Sequence, residues 1–167
     1  MKILVVSDSH GKMENLRQVI HIEKPDRIYH LGDSQGVEDS LWMTTDVPTE
    51  FVAGNCDWGT NMPSELVLEV GKHVIFLTHG HNYGVAYGYG PIAEAARKKG
   101  CDVVLYGHTH VPTIDNYTGL IIANPGSISF PRQPSREHTY MIITVDTAGE
   151  FRYDLHSLEE YDRKHGN

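Results

Sequence analysis

The chain has little of the sulfur chemistry and apolar length that mark exported or membrane proteins. Its 167 residues include only two cysteines, Cys56 and Cys101, which lie far apart and share no paired motif. We interpret them as reduced thiols of a cytoplasmic protein, because small exported domains are usually rich in disulfides. No apolar run approaches the roughly 20 residues of a membrane-spanning helix, and Asp8 interrupts the apolar start too early for a signal peptide. We therefore expect no membrane partner.

Positive charge is also scarce. Lysine and arginine total 14 against 22 aspartates and glutamates, which gives a formal net charge of −8. Long nucleic acids and anionic membranes both bind clustered cations. The one basic run, residues 97–99, lies where a predicted helix ends and where cations complement the helix dipole. We therefore expect no long nucleic acid among the partners.

The order of the predicted elements favours an α/β fold. Strand and helix patterns alternate over residues 2–53, which predicts parallel strands joined by crossover helices. The later strands are short and separated by turn residues, as in antiparallel sheets. The predicted strands span residues 2–6, 27–31, 50–53, 66–70, 73–78, 102–106, 113–117, 120–124, 139–146 and 151–155, and the predicted helices span residues 12–23, 37–44 and 91–99. Two packed sheets with helices outside them follow from this order.

The length of the chain predicts one domain, which we place over residues 1–158. Hydrophobic residues make up 40% of the chain and charged residues 22%, as is typical of globular domains. Residues 159–167 are rich in charge, and we expect them to form a frayed C-terminal tail.

Histidine is the residue that the chain has in excess, with 11 copies. Polar residues with metal-binding side chains recur just past five predicted strands, at the carboxyl ends where open α/β sheets bind ligands. One such sequence alone is weak evidence, because glycine, aspartate and asparagine favour turns. Five at successive strand ends indicate a ligand site. They are Asp8-Ser9-His10-Gly11, Gly32-Asp33-Ser34, Gly54-Asn55-Cys56-Asp57, Thr78-His79-Gly80-His81 and Gly107-His108-Thr109-His110.

Carboxylate, imidazole and amide side chains suit borderline divalent metals. The candidate ligands are too many for one ion but fit two ions that share a bridging carboxylate, the arrangement used for in-line displacement at phosphorus. A neutral ligand such as Asn55 leaves the site more positive than an aspartate would, which favours a phosphate oxyanion. We expect two divalent ions, with manganese favoured and nickel, iron, cobalt and zinc as alternatives.

The five sequences, in this order, resemble the calcineurin-like metallophosphoesterase superfamily. The length of the chain, the cysteine after Gly54-Asn55 and the segment Asn124-Pro125-Gly126-Ser127 resemble its small bacterial branch, the YfcE-type phosphodiesterases. The resemblance covers residues 2–155. It implies a four-layer αββα sandwich of two mixed sheets flanked by helices, with a dinuclear metal site at the carboxyl ends of the strands. It also suggests a homodimer or a larger assembly.

The resemblance further implies a set of ligands and a reaction. By motif, Asp8, His10 and His110 would hold the first metal, Asn55, His79 and His108 the second, and Asp33 would bridge the two. The implied activity is that of a metal-dependent phosphodiesterase, which hydrolyses a small organic phosphodiester by attack of a metal-bridging hydroxide. Asp33 and Asn55 would therefore act in catalysis as well as in metal binding.

One position departs from the superfamily pattern. Many members place a histidine after the Gly-Asn pair to protonate the leaving group, and this chain has Cys56 there. A thiol is a poor substitute for that acid, so we expect a preference for good leaving groups. His81, two residues beyond a candidate ligand, is the alternative leaving-group acid or phosphate contact. Cys56 itself could line the pocket or fill a buried space.

Other functions of the same site stay open at this point. The superfamily includes a retromer subunit of similar size that uses the fold, with an altered metal site, to bind protein partners. Competent side chains at every expected ligand position argue against such a non-catalytic scaffold here. The missing histidine after Asn55 weakens a phosphomonoesterase, and the acidic charge without basic or aromatic stripes weakens a nuclease.

Overall fold

The central strand shows how the layers of the fold arise. The computed structural model describes residues 1–166. Lys2–Val6 forms β1, whose Ile3 and Val5 side chains join one apolar cluster while Leu4 and Val6 join another. Successive side chains of a strand point to opposite faces, so a strand that is apolar on both faces has to be covered on both. β1 therefore lies in an inner layer.

Five strands form the first sheet. β2 (Arg27–His30) and β3 (Thr49–Phe51) continue from β1 in parallel, and β9 (Thr139–Val145) and β10 (Phe151–Ser157) extend the other side antiparallel, giving the order β10-β9-β1-β2-β3. Helix α1 (Glu14–Glu23) connects β1 to β2, and α2 (Val37–Trp42) connects β2 to β3. The predicted parallel strands with crossover helices are confirmed.

The second sheet also has five strands. β5 (His73–Thr78), β6 (Val103–Leu105) and β8 (Leu120–Asn124) run parallel, while β4 (Glu65–Val70) and β7 (Thr113–Tyr117) are antiparallel edge strands, giving the order β4-β5-β6-β8-β7. After β5 come a 3₁₀ turn at His81–Tyr83 and helix α3 (Gly90–Lys98). A tight hairpin turn at Gly71-Lys72 joins β4 to β5.

Three apolar clusters separate four layers. The first lies between the two sheets. It includes Ile3 and Leu31 from the first sheet and the loop after it, and Leu77 and Leu105 from the second sheet. The second packs α1 and α2 on the outer face of the first sheet, and the third packs α3 on the outer face of the second. This is the αββα sandwich of two mixed sheets that the sequence analysis predicted. The ends of the predicted strands and helices differ from the observed ends by no more than two residues.

The predicted C-terminal tail is wrong. Leu158–His165 forms a fourth helix, α4, and the buried Leu158 side chain joins the cluster on the outer face of the first sheet. Ser157 Oγ accepts a hydrogen bond of 3.1 Å from the Glu160 main-chain N–H, and acidic and basic residues occupy the first and last turns. This cap and charge order stabilise a helix in a segment whose composition suggested fraying. The last residue of the predicted tail, Asn167, lies outside the described residues.

Candidate metal centre

The five predicted polar sequences meet at one end of the two sheets. They follow β1, β2 and β3 in the first sheet and β5 and β6 in the second, and these strands run parallel within each sheet. Two hydrogen bonds join the loops across the sheets. The His108 main-chain N–H donates to Asp8 Oδ2 (3.1 Å), and His79 Nδ1 bonds the Leu31 carbonyl oxygen (2.7 Å). The loops therefore form a single site.

Within the first sheet, main-chain bonds hold neighbouring loops in register. The Asp8 N–H donates to the Gly32 carbonyl (3.0 Å) and the His10 N–H to the Asp33 carbonyl (2.8 Å), so that the pairing of β1 with β2 continues past the strand ends. The loop after β3 is attached through the Cys56 N–H, which donates to Asp33 Oδ1 (2.8 Å). These bonds bring Asp8, His10 and Asp33 together.

Asp8, His10 and His110 form one group of potential ligand atoms. Asp8 Oδ1 lies 3.1 Å from His110 Nε2 and 4.0 Å from His10 Nε2, and the two Nε2 atoms are 3.5 Å apart. An ion with bonds of about 2.1 Å holds neighbouring ligands roughly 3–4 Å apart. The spacing of this group therefore fits one ion.

Asp33 lies between this group and His79. Its Oδ2 atom is 3.7 Å from His10 Nε2 and 3.5 Å from His79 Nε2. His79 Nε2 is in turn 3.9 Å from Asp8 Oδ1. The Asp33 carboxylate therefore lies close to imidazole nitrogens on both sides. Cys56 also comes within reach of His10 and Asp33, a proximity that the sequence analysis left open.

Hydrogen bonds at the Nδ1 atoms orient three of the imidazole rings. His79 bonds the Leu31 carbonyl oxygen, His110 the Phe130 carbonyl oxygen (2.6 Å) and His10 the Gln35 Oε1 atom (2.9 Å). Because each acceptor is an oxygen without a proton, Nδ1 is the donor. In the neutral imidazole Nε2 then carries the lone pair, as in metal-ligating histidines.

Two buried polar atoms of the cluster test whether a metal ion fits. Within residues 1–166, His79 Nε2 and Asp8 Oδ1 have no partner in hydrogen-bond geometry although both side chains are fully buried. Buried polar atoms are almost always satisfied. Imidazole nitrogens and carboxylate oxygens pointing at a common space form the donor set of a divalent metal, so the residues present fit such an ion.

Backbone strain is concentrated in the same residues. Asp8, His10, Asp33, His108 and His110 have φ values of 56°, 46°, 52°, 67° and 58°. This left-handed region costs a non-glycine residue on the order of 1–3 kcal/mol and is often occupied at functional sites. Five of the seven predicted ligands thus adopt the left-handed backbone conformation.

Charge within the site follows the pairing of carboxylates with imidazoles. Burial raises the pKa of Asp8, but His110 and His79 outweigh it and leave the net pKa below its ordinary value. Burial also raises the pKa of Asp33, but His79 and the Cys56 N–H outweigh it and lower this pKa strongly. Burial disfavours the charged form of His79, yet Asp33 and Asp8 raise its pKa overall. The carboxylates are therefore ionised at neutral pH.

The other predicted site residues border this cluster. Asn55 is exposed, and its Nδ2 donates to Cys56 Sγ (3.4 Å). His108 is half-buried, with its ring centroid 5.2 Å from that of His79. The His81 ring lies 5.4 Å from the His79 ring and 6.2 Å from the His108 ring. Burial lowers the pKa of His81 and, together with the His79 charge, that of His108.

Several residues that support the site were not assigned a role from the sequence. Asp57 accepts hydrogen bonds from the Gln35 N–H (2.7 Å) and the Gly54 N–H (2.8 Å), which ties the loops after β2 and β3 together. Ser127 Oγ donates to the Asp8 carbonyl oxygen (2.9 Å) and accepts from the Phe130 N–H (2.7 Å). Asp57 stands within a predicted motif and could have been noticed, whereas the role of Ser127 depends on a contact with a loop far away in sequence.

Comparison with known proteins identifies the class. The family model described as the calcineurin-like phosphoesterase superfamily domain matches residues 1–148. The chain belongs to this superfamily, as the sequence motifs implied, and the family is one of metallophosphoesterases.

Two relatives illustrate the match in sequence. The probable metallophosphoesterase YsnB of Bacillus subtilis is 34% identical over 148 residues, which cover 87% of this chain and 85% of YsnB. The phosphodiesterase YfcE of Escherichia coli is 28% identical over 158 residues, covering 79% of this chain and 82% of YfcE.

Solved structures agree with the fold. A predicted phosphoesterase from Streptococcus pneumoniae superposes with a TM-score of 0.77 at 32% identity, covering 93% of this chain and 88% of that one. Vps29 from Entamoeba histolytica, solved with zinc, superposes with a TM-score of 0.73 at 18% identity, covering 94% and 99% of the two chains. The second likeness shows a shared fold alone.

Neither a disulfide nor a membrane-spanning helix is found in the part of the chain that the structure describes. Cys56 and Cys101 are free thiols. No helix within residues 1–166 has both the length and the apolar character needed to cross a bilayer.

Proposed function

We propose that this chain is a phosphodiesterase that uses two divalent ions to hydrolyse a small organic phosphodiester. The observation that carries the proposal is the convergence of Asp8, Asp33, His10, His79 and His110 with their ligand atoms within 4 Å of a neighbour. Asn55 and His108 complete the proposed ligand set from the border of the cluster. We propose manganese as the favoured ion, with nickel, iron, cobalt and zinc as alternatives that suit the same carboxylate and imidazole ligands.

The positions of Asp8 and Asp33 indicate a different role for each carboxylate. Asp33 lies between the two groups of ligands and would bridge the ions, while Asp8 is held by the His108 N–H and stays with the first group. When bound, the two ions supply positive charge for the phosphoryl oxygens and lower the pKa of water near them. Asp8 and Asp33 bring only two negative charges against four positive ones. The remaining positive charge would attract an anionic diester to an acidic protein.

His81 is proposed as the residue that contacts the leaving group or a phosphate oxygen. Its ring flanks both His79 and His108, and its Nδ1 has no hydrogen-bond partner within residues 1–166. We expect His81→Ala to slow esters with poor leaving groups much more than p-nitrophenyl esters. An equal loss on both kinds of ester would argue against this role.

The proposal is tested by hydrolysis of bis-p-nitrophenyl phosphate. Protein stripped with a chelator should be inactive, and manganese should restore turnover. Asp33→Asn keeps the size of the side chain and should abolish turnover while the circular dichroism spectrum stays that of the parent. A folded Asp33→Asn variant with full activity would refute the assignment of Asp33.

A non-catalytic scaffold is the second candidate, and the shared fold of Vps29 is the observation in its favour. It predicts stoichiometric manganese binding without turnover of any diester.

The free thiols agree with the proposed cytoplasmic location. We further propose a homodimer or larger assembly, which light scattering would measure directly.

A further inference from the structure

A cleft opens beside the first group of ligands. It begins at His10 and His110 and has a volume of about 730 Å³. This volume lies within the range of about 300–1,000 Å³ that is usual for small-molecule sites. Phe130, Arg132 and Arg136 line the part that lies beyond the histidines. A diester bound at the candidate metal centre would extend one of its two substituents into this cleft.

The cleft is basic although the protein is acidic. Within the part of the chain that the structure describes, two arginines line it and none of the 22 aspartates and glutamates does. Lys12 adds a third cation, with its Nζ atom 4.1 Å from the centroid of the Phe130 ring. Seven of the 14 lysines and arginines form ion pairs with carboxylates within residues 1–166, and Lys12, Arg132 and Arg136 are not among them.

The backbone places these arginines next to the ligands. The Arg132 N–H donates to the His110 carbonyl oxygen (3.2 Å), so Arg132 is attached to a residue of the metal centre. Arg136 Nη1 donates to the Pro131 carbonyl oxygen (2.9 Å), which orients the guanidinium while other N–H groups stay available. A guanidinium group binds phosphate through two parallel, charge-assisted hydrogen bonds to its oxygens.

We infer that Arg132 and Arg136 bind a second phosphate group carried by the substrate, so that the enzyme prefers phosphodiesters with an additional phosphomonoester. The inference rests on the proposed phosphodiesterase function. It adds a specificity site to that function and names the class of substrate: an organic diester, such as a nucleotide ester, that carries a terminal phosphate on one of its alcohols.

A matched pair of substrates tests the inference. The p-nitrophenyl ester of thymidine 5′-phosphate and its 3′-phosphorylated derivative share the reacting bond and the leaving group and differ by one phosphate. We expect the wild-type protein with manganese to hydrolyse the 3′-phosphorylated ester with a kcat/KM at least roughly tenfold higher than that of the unphosphorylated ester. A tenfold ratio corresponds to the free energy of about one charge-assisted hydrogen bond. Arg132→Gln and Arg136→Gln should each lower this ratio, and the double variant should bring it to about one.

The control is an arginine at the opposite end of the sheet. Arg27 is exposed at the amino end of β2, so Arg27→Gln makes the same change of charge away from the cleft and should keep the wild-type ratio. A wild-type ratio of about one, or an unchanged ratio in the double variant, would overturn the inference. Failure of the wild-type protein to hydrolyse bis-p-nitrophenyl phosphate would instead overturn the proposed function, which keeps the two failures distinct.

Discussion

Replacing Gly54 by alanine should damage the metal centre through one methyl group. The Cβ atom built on Gly54 overlaps both the carboxylate and the main-chain nitrogen of Asp33. The φ of Gly54 is not in the left-handed region, so the effect would be steric rather than conformational. Asp33 would have to move, and its hydrogen bond of 2.8 Å from the Cys56 N–H would be strained or lost.

The size of the effect follows from the cost of overpacking and from the role of Asp33. Forcing an extra methyl group into a packed site costs about 1–3 kcal/mol. Displacing a residue that orients or supplies ligands typically costs about 10–100-fold in metal affinity. We therefore expect Gly54→Ala to lower the free energy of unfolding of the metal-free protein by about 2 kcal/mol and to weaken manganese binding by at least about tenfold.

Gly90→Ala is the matched control. Gly90 also has an ordinary φ, but within residues 1–166 no atom beyond its chain neighbours and its own helix backbone lies within 4 Å of its built Cβ atom. It begins α3, where alanine is expected to change stability by less than about 1 kcal/mol and in the stabilising direction. Urea denaturation of chelator-treated protein and calorimetric titration with manganese would measure both quantities. If Gly54→Ala matched Gly90→Ala in stability and in manganese affinity, the close packing of Gly54 on Asp33 would not matter, and the steric argument would fail.

Three further predictions concern stability. Manganese at about 100 times its dissociation constant should raise the free energy of unfolding by about 2.7 kcal/mol; a melting temperature in calorimetry that does not respond to manganese would contradict the candidate site. Ser157→Ala removes the oxygen that accepts from the Glu160 N–H and should cost about 1 kcal/mol in urea denaturation, whereas Ser157→Thr should retain most of the stability. Burial lowers the pKa of His30 to about 4, although Asp57 and Asp8 oppose the shift. The unfolded chain therefore takes up this proton first as the pH falls, and the metal-free protein should lose up to about 3 kcal/mol between pH 6.5 and pH 4. His30→Gln should flatten that part of the stability profile, and an equally steep profile would show that other groups cause the loss.

The sequence by itself determined the order of layers and the residue types of the site. The short apolar run of β1, the helical spacing of α1 and the turn residues between the later strands are local properties. Each of them indicates the surroundings of its own segment. The candidate ligands were also recognisable locally, because each stands one to five residues past the end of a strand and parallel strands end at a common edge. The C-terminal helix was missed because composition alone does not reveal that Ser157 caps it and that Leu158 is buried against the sheet.

Only the tertiary structure decided how those residues face one another. The bond from the His108 N–H to Asp8 joins residues 100 positions apart, and the Ser127 hydroxyl reaches the Asp8 carbonyl across 119 positions. The arginines of the cleft likewise approach His10 only after the loop that follows β8 has folded back. Hydrogen-bond direction and cleft shape depend on distances between loops, and a sequence pattern carries no information on distance across the chain. The type of chemistry was therefore predictable from the sequence, while the position of Asp33 between His10 and His79 and the basic cleft arise from the tertiary packing.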